Sequence, residues 1–155
     1  MIIFGIDPGL ATTGYGIIKK EKGTLRALDY GIIETSSKQT SGQRLQKIYH
    51  ELSDLLTAFA PNIVAVERLY FFKNLKTALP VSEARGVILL ACSQQNLKIQ
   101  EFTPLQVKTG VCGYGRAEKQ QIQKIAQKIL KMAELPKPDD AADALALAIC
   151  CSYAI

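Results

Sequence analysis

Four carboxylates stand where this sequence can use them together. Asp7 closes the apolar run "MIIFGID", Glu67 closes "NIVAVE", and Asp140 and Asp143 lie in "PDDAADALALA", Pro138 to Ala148. The last pair poses the chemical question. Acids at a helix start have an ordinary use, capping free N–H groups and meeting the helix dipole, and that covers Asp139 or Asp140. It does not cover Asp143, because Ala141–Cys151 is otherwise apolar on every face and reads as a helix packed on all sides. A buried carboxylate there needs a partner, a proton or a metal. Asp140 and Asp143 are three apart, so both project from one helix face. Four such charges in a small volume repel and shift toward the neutral form unless cations balance them. Two divalent ions supply that balance, and ligands that are all hard oxygens point to Mg²⁺, with Mn²⁺ as a substitute. Two ions about 4 Å apart hold a phosphodiester between them, one activating water and the other stabilising the leaving oxygen. A single structural cation would use similar ligands, and that alternative stays open.

Other site chemistries are poorly supplied. The chain has one histidine, His50, in a polar helical stretch, and four cysteines at 92, 112, 150 and 151 without a CxxC spacing. That excludes a Cys/His zinc site and argues against a disulfide framework. Hydrophobic content of 48% with 21% charged residues suits a soluble globular chain, read as one domain over residues 1–155. The apolar stretch "VILLAC" is too short to span a bilayer, and "MIIFGID" carries no basic leader, so a cytoplasmic location is expected and no membrane partner. The net charge of +5 is confined to one segment. Between Phe102 and Lys137 lie seven basic residues (Lys108, Arg116, Lys119, Lys124, Lys128, Lys131 and Lys137) against Glu118 and Glu134, while the rest of the chain holds twelve of each sign. A solvated lysine-rich helix face is the plainer account of such a segment. Beside a metal site, the asymmetry points to a polyanion, and so to nucleic acid.

The elements that must position these groups follow from periodicity. "MIIFGID" reads as a strand ending near Asp7, "PGLATTG" as a turn, and "YGIIKKE" and "TLRALDYGIIET" as two more strands joined by a Lys-Gly turn. Such short links make an antiparallel meander. Helical spacing at Leu45, Ile48, Leu52, Leu55, Leu56 and Phe59 follows, stopped by Pro61. "NIVAVE" is a buried strand, Val81–Gln95 a helix, and "KIQEF" a fifth strand. A helical segment, the break "GVCGYG", a basic helix over Ala117–Met132 and the alanine-rich helix complete the chain. This order makes an α/β fold, a mixed five-stranded sheet flanked by helices on both faces. Ligands of such sheets bind outside the carboxyl ends of the strands, where Asp7 and Glu67 fall. If the first and fourth strands are neighbours, those two acids meet, and the alanines of 141–148 let the last helix bring Asp140 and Asp143 to the same point.

The segments "GIDPGLATTGYG", "VAVERLYFFKN", "ARG", "GRAEKQQ" and "DDAADALALA" resemble the RuvC family of Holliday-junction resolvases, in order and over nearly the whole chain. The resemblance implies a ribonuclease H-like fold and an acidic tetrad at Asp7, Glu67, Asp140 and Asp143 holding two Mg²⁺ ions. It implies catalytic-site lysines at Lys119, in "AEK", and Lys108, in "QVK", and a base-engaging aromatic at Tyr70. Arg68, Lys73 and Lys76 flank that aromatic as DNA-binding cations, as stacking on splayed bases requires, and Arg116 joins them. Phe71 and Phe72 read as a hydrophobic plug beneath the same loop. The implied activity is an endonuclease, a homodimer that nicks opposed strands of a four-way DNA junction, leaving 5′-phosphate and 3′-hydroxyl ends, in recombination and repair. The implied partner is a branch-migration motor of the RuvA and RuvB type. Asp139, an extra acid four before Asp143, also faces the site and competes with Asp140 as a ligand.

Two rivals remain at this level. A related nuclease of other branched DNA or of RNA would carry the same acids. "DPGLATTGYG" also resembles the phosphate-binding turn of actin-like ATPases, although those need two lobes and 155 residues hold one. Helix Val81–Gln95 is apolar on more than one face, with Ala84, Val87 and Leu90 among its residues. A second apolar face predicts a two-fold interface through this helix.

Overall fold

The computed structural model describes residues 1–68 and 75–155, with the side chains of 75–77 excepted. The chain runs β1 (Ile2–Asp7), β2 (Thr12–Glu21), β3 (Thr24–Glu34), α1 (Ser41–Phe59), β4 (Ile63–Glu67), α2 (Leu75–Gln94), β5 (Ile99–Phe102), α3 (Pro104–Cys112), α4 (Lys119–Ile129) and α5 (Asp139–Ala154). The five strands form one sheet in the order β3-β2-β1-β4-β5. β1, β2 and β3 pair antiparallel, whereas β4 lies parallel to β1 and to β5. The neighbours on which the site depends, β1 and β4, are therefore adjacent.

Strand alternation assigns each residue to a face. Ile3 of β1 with Ile63 and Ala65 of β4 pack into the core formed with α3, α4 and α5. Phe4 and Ile6 with Val64 and Val66 pack into the opposite core, under α1 and α2. Asp7 and Glu67 continue the first set, so both turn toward α5. With Ile6 level with Val66 in the parallel register, the two acids leave the sheet side by side.

α5 lies directly on the sheet because the strands beneath it lack side chains. Gly5 and Gly16 face each other across β1 and β2, and Gly14 sits opposite Asp7. A methyl group at Gly5 would overlap the Ala144 carbonyl, one at Gly16 the Leu145 backbone, and one at Gly14 the Asp140 carbonyl. Eleven residues of α5 are buried as a result, Ala141 and Leu145 among them. The Lys20 ammonium closes its far end, donating to the Ile155 carbonyl at 3.1 Å. Thr40 and Thr103 begin α1 and α3 with capping boxes to Gln43 and Gln106. We expect Gly14→Ala to destabilise the protein by about 3 kcal/mol or more, beyond the usual cost of overpacking, because backbone rather than a flexible side chain must give way. A urea midpoint within experimental error of wild type would contradict this packing.

Several boundaries differ from the sequence reading, α4 among them, which spans Lys119–Ile129 rather than Ala117–Met132. β2 begins at Thr12, inside the stretch read as a turn, and Gly14 and Gly16 are strand residues chosen for the approach of α5. α2 begins at Leu75 and runs through Pro80 instead of starting after it. Asp139 is not a cap: Pro138 holds that position without a side-chain bond, and Asp139 opens the first turn. No helix among the described residues is long and apolar enough to cross a membrane.

Candidate active site

A cleft of about 220 Å³ opens at the carboxyl ends of β1 and β4. Asp7, Glu67 and Asp143 line it together with Lys108 from α3 and Lys119 from α4, on a floor that includes Val107, Ile122 and Leu147. Asp140 stands one turn before Asp143, held over Gly14, and is not part of the lining. Its charge still reaches Asp7 and Asp143. Three of the four expected acids thus share one cavity, and the fourth borders it.

The electrostatics record an excess of negative charge. Burial pushes the Asp7 carboxyl up to about 8, reinforced by Glu67, Asp143 and Asp140 and opposed by Lys119. Glu67 is raised by burial and then by Asp143. Asp143 is raised by burial, against the hydrogen bond from Lys119, whose Nζ lies 2.9 Å from its Oδ2. For Lys119, burial acts downward and the bonds to Asp143 and Asp139 outweigh it, holding the ammonium above its usual range. One lysine does not neutralise this set. Among the described residues no three acids already close around one point as a finished metal cage. The donors are nonetheless all hard oxygens, and their raised proton affinity is what uncompensated carboxylates show before a divalent cation displaces the proton.

A pH dependence follows. The folded protein holds a proton on Asp7 up to about pH 8, whereas the unfolded chain loses it near 3.8. Stability of the metal-free protein therefore falls as pH rises between these values, and Glu67 and Asp143 act in the same direction. In EDTA we expect the thermal midpoint to drop from about pH 5 to about pH 8, Mg²⁺ to restore more at the upper end, and Asp7→Asn to flatten the slope. A midpoint that rises over this range would contradict the assignment.

The remaining sequence candidates divide by position. Arg116 is exposed just before α4, and Lys124 and Lys128 point outward from α4 while Ile122 and Ala126 face the core. The Arg68 guanidinium, half-exposed beside Glu67, leans on Glu101 of β5 at 3.4 Å. The same carboxylate pairs with Arg85 of α2, a network that the sequence reading missed. Tyr70, Phe71, Phe72, Lys73 and the Lys76 side chain lie outside the described residues. Gln123, also missed, donates to Asp139 at 3.0 Å. Asp139 itself is exposed and turned to Gln123 and Lys119, which hold its carboxyl below the usual range. In the loop 8–11 the polar groups turn inward, with the Thr13 hydroxyl donating to the Gly9 carbonyl at 2.6 Å and the Thr35 N–H to the Ala11 carbonyl at 2.9 Å.

A family model described as crossover junction endodeoxyribonuclease RuvC matches residues 3–151. The chain belongs to the RuvC family. The crossover junction endodeoxyribonuclease RuvC of Caldicellulosiruptor saccharolyticus is 54% identical over 97% of this chain and 91% of its own length. That of Natranaerobius thermophilus is 53% identical over 99% and 96%. Among solved structures, Thermus thermophilus RuvC superposes with a TM-score of 0.90 at 31% identity, covering 99% of this chain and 94% of that one. The same protein in complex with a Holliday junction substrate gives 0.91 at 28% identity with the same coverage. The mixed five-stranded sheet is thus the ribonuclease H-like fold of these resolvases. RuvC membership over nearly the whole chain decides against the single-lobed actin-like alternative.

Proposed function

We propose that this protein is a metal-dependent crossover junction endodeoxyribonuclease that resolves four-way DNA junctions by paired nicks in opposed strands. The observation that carries the reading is the convergence of Asp7, Glu67, Asp143, Lys108 and Lys119 in one cleft of a chain matched end to end by RuvC proteins. The T. thermophilus relative, solved with a Holliday junction substrate, supports the choice of DNA.

In this reading Asp7, Glu67, Asp140 and Asp143 hold two Mg²⁺ ions, or Mn²⁺ in their place. Bound there, the metal pair supplies an activated water and a counter-charge for the leaving oxygen. The chain's own groups do the rest. Lys108 and Lys119 flank the scissile phosphate and stabilise the charge that develops on it. Exposed Arg116, Lys124, Lys128 and Lys131 attract the backbone electrostatically. Tyr70 engages bases at the junction centre, with Arg68, Lys73 and Lys76 on neighbouring phosphates. The nicks leave 5′-phosphate and 3′-hydroxyl ends, ready for ligation. The single nuclease domain works as a homodimer in the cytoplasm, beside a branch-migration motor of the RuvA and RuvB type.

The deciding experiment incubates the protein with synthetic four-way junctions, other branched DNA, linear duplex and RNA, in Mg²⁺ or EDTA. Mg²⁺-dependent symmetric nicks confined to the four-way junction are expected. Equal cutting of other branched DNA or of RNA would replace this reading with the broader nuclease.

A further inference from the structure

Lys119 opens α4 with its ammonium between two carboxylates of α5, 2.9 Å from Asp143 Oδ2 and 3.4 Å from Asp139 Oδ2. The two acids are four residues apart and so stand one above the other on α5. Asp143 is the inner one, in the cleft wall, and Asp139 the outer, with 66% of its side chain exposed. Asp139 is held in turn by Gln123, one turn along α4 from Lys119, at 3.0 Å. The result is a ladder: Lys119 and Gln123 on one helix, Asp143 and Asp139 on the other. The lysine's inner partner is one of the acids that the metal needs.

We propose that Asp139 is a positioning residue acting through Lys119. It offers the ammonium an outer partner, so that the lysine yields Asp143 to the metal and stays at the rim of the cleft. This rests on the reading of Asp143 as a metal ligand. Without Asp139 the only carboxylate among the described residues in contact with the ammonium is Asp143, and the lysine competes with the metal for it. With Asp139 present, release of Asp143 exchanges one ion pair for another rather than for none. Gln123 keeps the outer carboxylate in place for that exchange. An ordinary exposed ion pair, by contrast, contributes little by itself.

The test is a double-mutant cycle read by Mn²⁺ binding alone, using electron paramagnetic resonance of free Mn²⁺ without DNA or turnover. Asp139 and Lys119 are solvent-exposed, so the variants keep the fold. Asp139→Asn is expected to weaken Mn²⁺ binding about three- to tenfold in the wild-type background, the size of coupling between contacting residues. In a Lys119→Met background the same substitution should change it by less than about twofold, since the competitor is gone. Equal weakening in both backgrounds would overturn the proposal, because Asp139 would then act directly, as a ligand or as a bare charge. No effect in the wild-type background would overturn it as well. Asp143→Asn separates the two readings: if it leaves Mn²⁺ binding intact, the metal site itself is wrong, whereas a loss there beside an additive cycle removes only the role of Asp139.

Discussion

Asp7→Asn protein is expected to bind a four-way junction as wild type does and to fail to cut it. The separation follows from where the charges lie. Asp7, Glu67 and Asp143 are recessed in the cleft, while Lys124 and Lys128, among the cations proposed to meet DNA, are on the outer face of α4. Replacing one acid with its amide changes the charge balance of the metal site and leaves the outer face intact. Loss of a metal ligand removes at least the contribution of a single transition-state stabiliser, so cleavage should fall about 10²- to 10³-fold or more. Binding in EDTA below about pH 8 should be equal, because the Asp7 carboxyl of the metal-free protein is already protonated there and its amide carries the same charge. Glu67→Gln and Asp143→Asn should behave alike. Asp140→Asn tests the acid outside the cleft lining, and a rate near wild type would remove it from the ligand set. Turnover above a tenth of wild type for Asp7→Asn, Glu67→Gln or Asp143→Asn would sink the carboxylate site.

What the sequence made legible, and what it hid, follows from the range of the forces involved. Asp7 and Glu67 were readable because each ends a short apolar run, and period-two alternation gives both the same face once the strands are neighbours. That neighbourhood is non-local and had to be left conditional until β1 and β4 were seen paired. Asp143 was readable because a charge within an alanine-rich helix contradicts its surroundings. Gly14 misled. "PGLATTG" has turn composition, yet Gly14 is in β2, where α5 comes down on it as on Gly16, a reason supplied by residues more than a hundred positions away. Pro80 misled likewise, since α2 begins before it. Asp139 illustrates the remaining limit. Its spacing from Asp143 made it a candidate ligand, but its partners, Lys119 and Gln123, come from a separate helix whose placement no local pattern reveals.

Leu90→Glu is expected to give a folded monomer that binds junctions weakly and makes no paired nicks. The sequence placed a two-fold interface on this helix and included Ala84 in it. Ala84 is fully buried, in the core shared by α1 and α2, so Ala84→Glu would disrupt the fold and report nothing about assembly. Val87 packs partly against the same core. The face left outward is a different stripe, Leu79, Glu83, Gly86 and Leu90, spaced by four, three and four residues along α2. Leu79 is 68% exposed and Leu90 52%, two large apolar side chains on one helix face. Among the described residues nothing lies near the position of a side chain at Gly86, which leaves room for a second backbone to approach. The same stripe on another copy meets these requirements under two-fold symmetry. Burying each leucine there contributes about 1.5–3 kcal/mol, and a buried unpaired glutamate reverses that contribution. A four-way junction is itself roughly two-fold symmetric, so a two-fold protein sets its two clefts on opposed strands. The monomer keeps its own cleft and its own acids, so loss of pairing should appear as isolated nicks at low rate rather than as loss of chemistry. Sedimentation of wild-type protein as a monomer at micromolar concentration, both free and on junction DNA, would overturn the arrangement. So would Leu90→Glu protein that remains dimeric and still nicks in pairs.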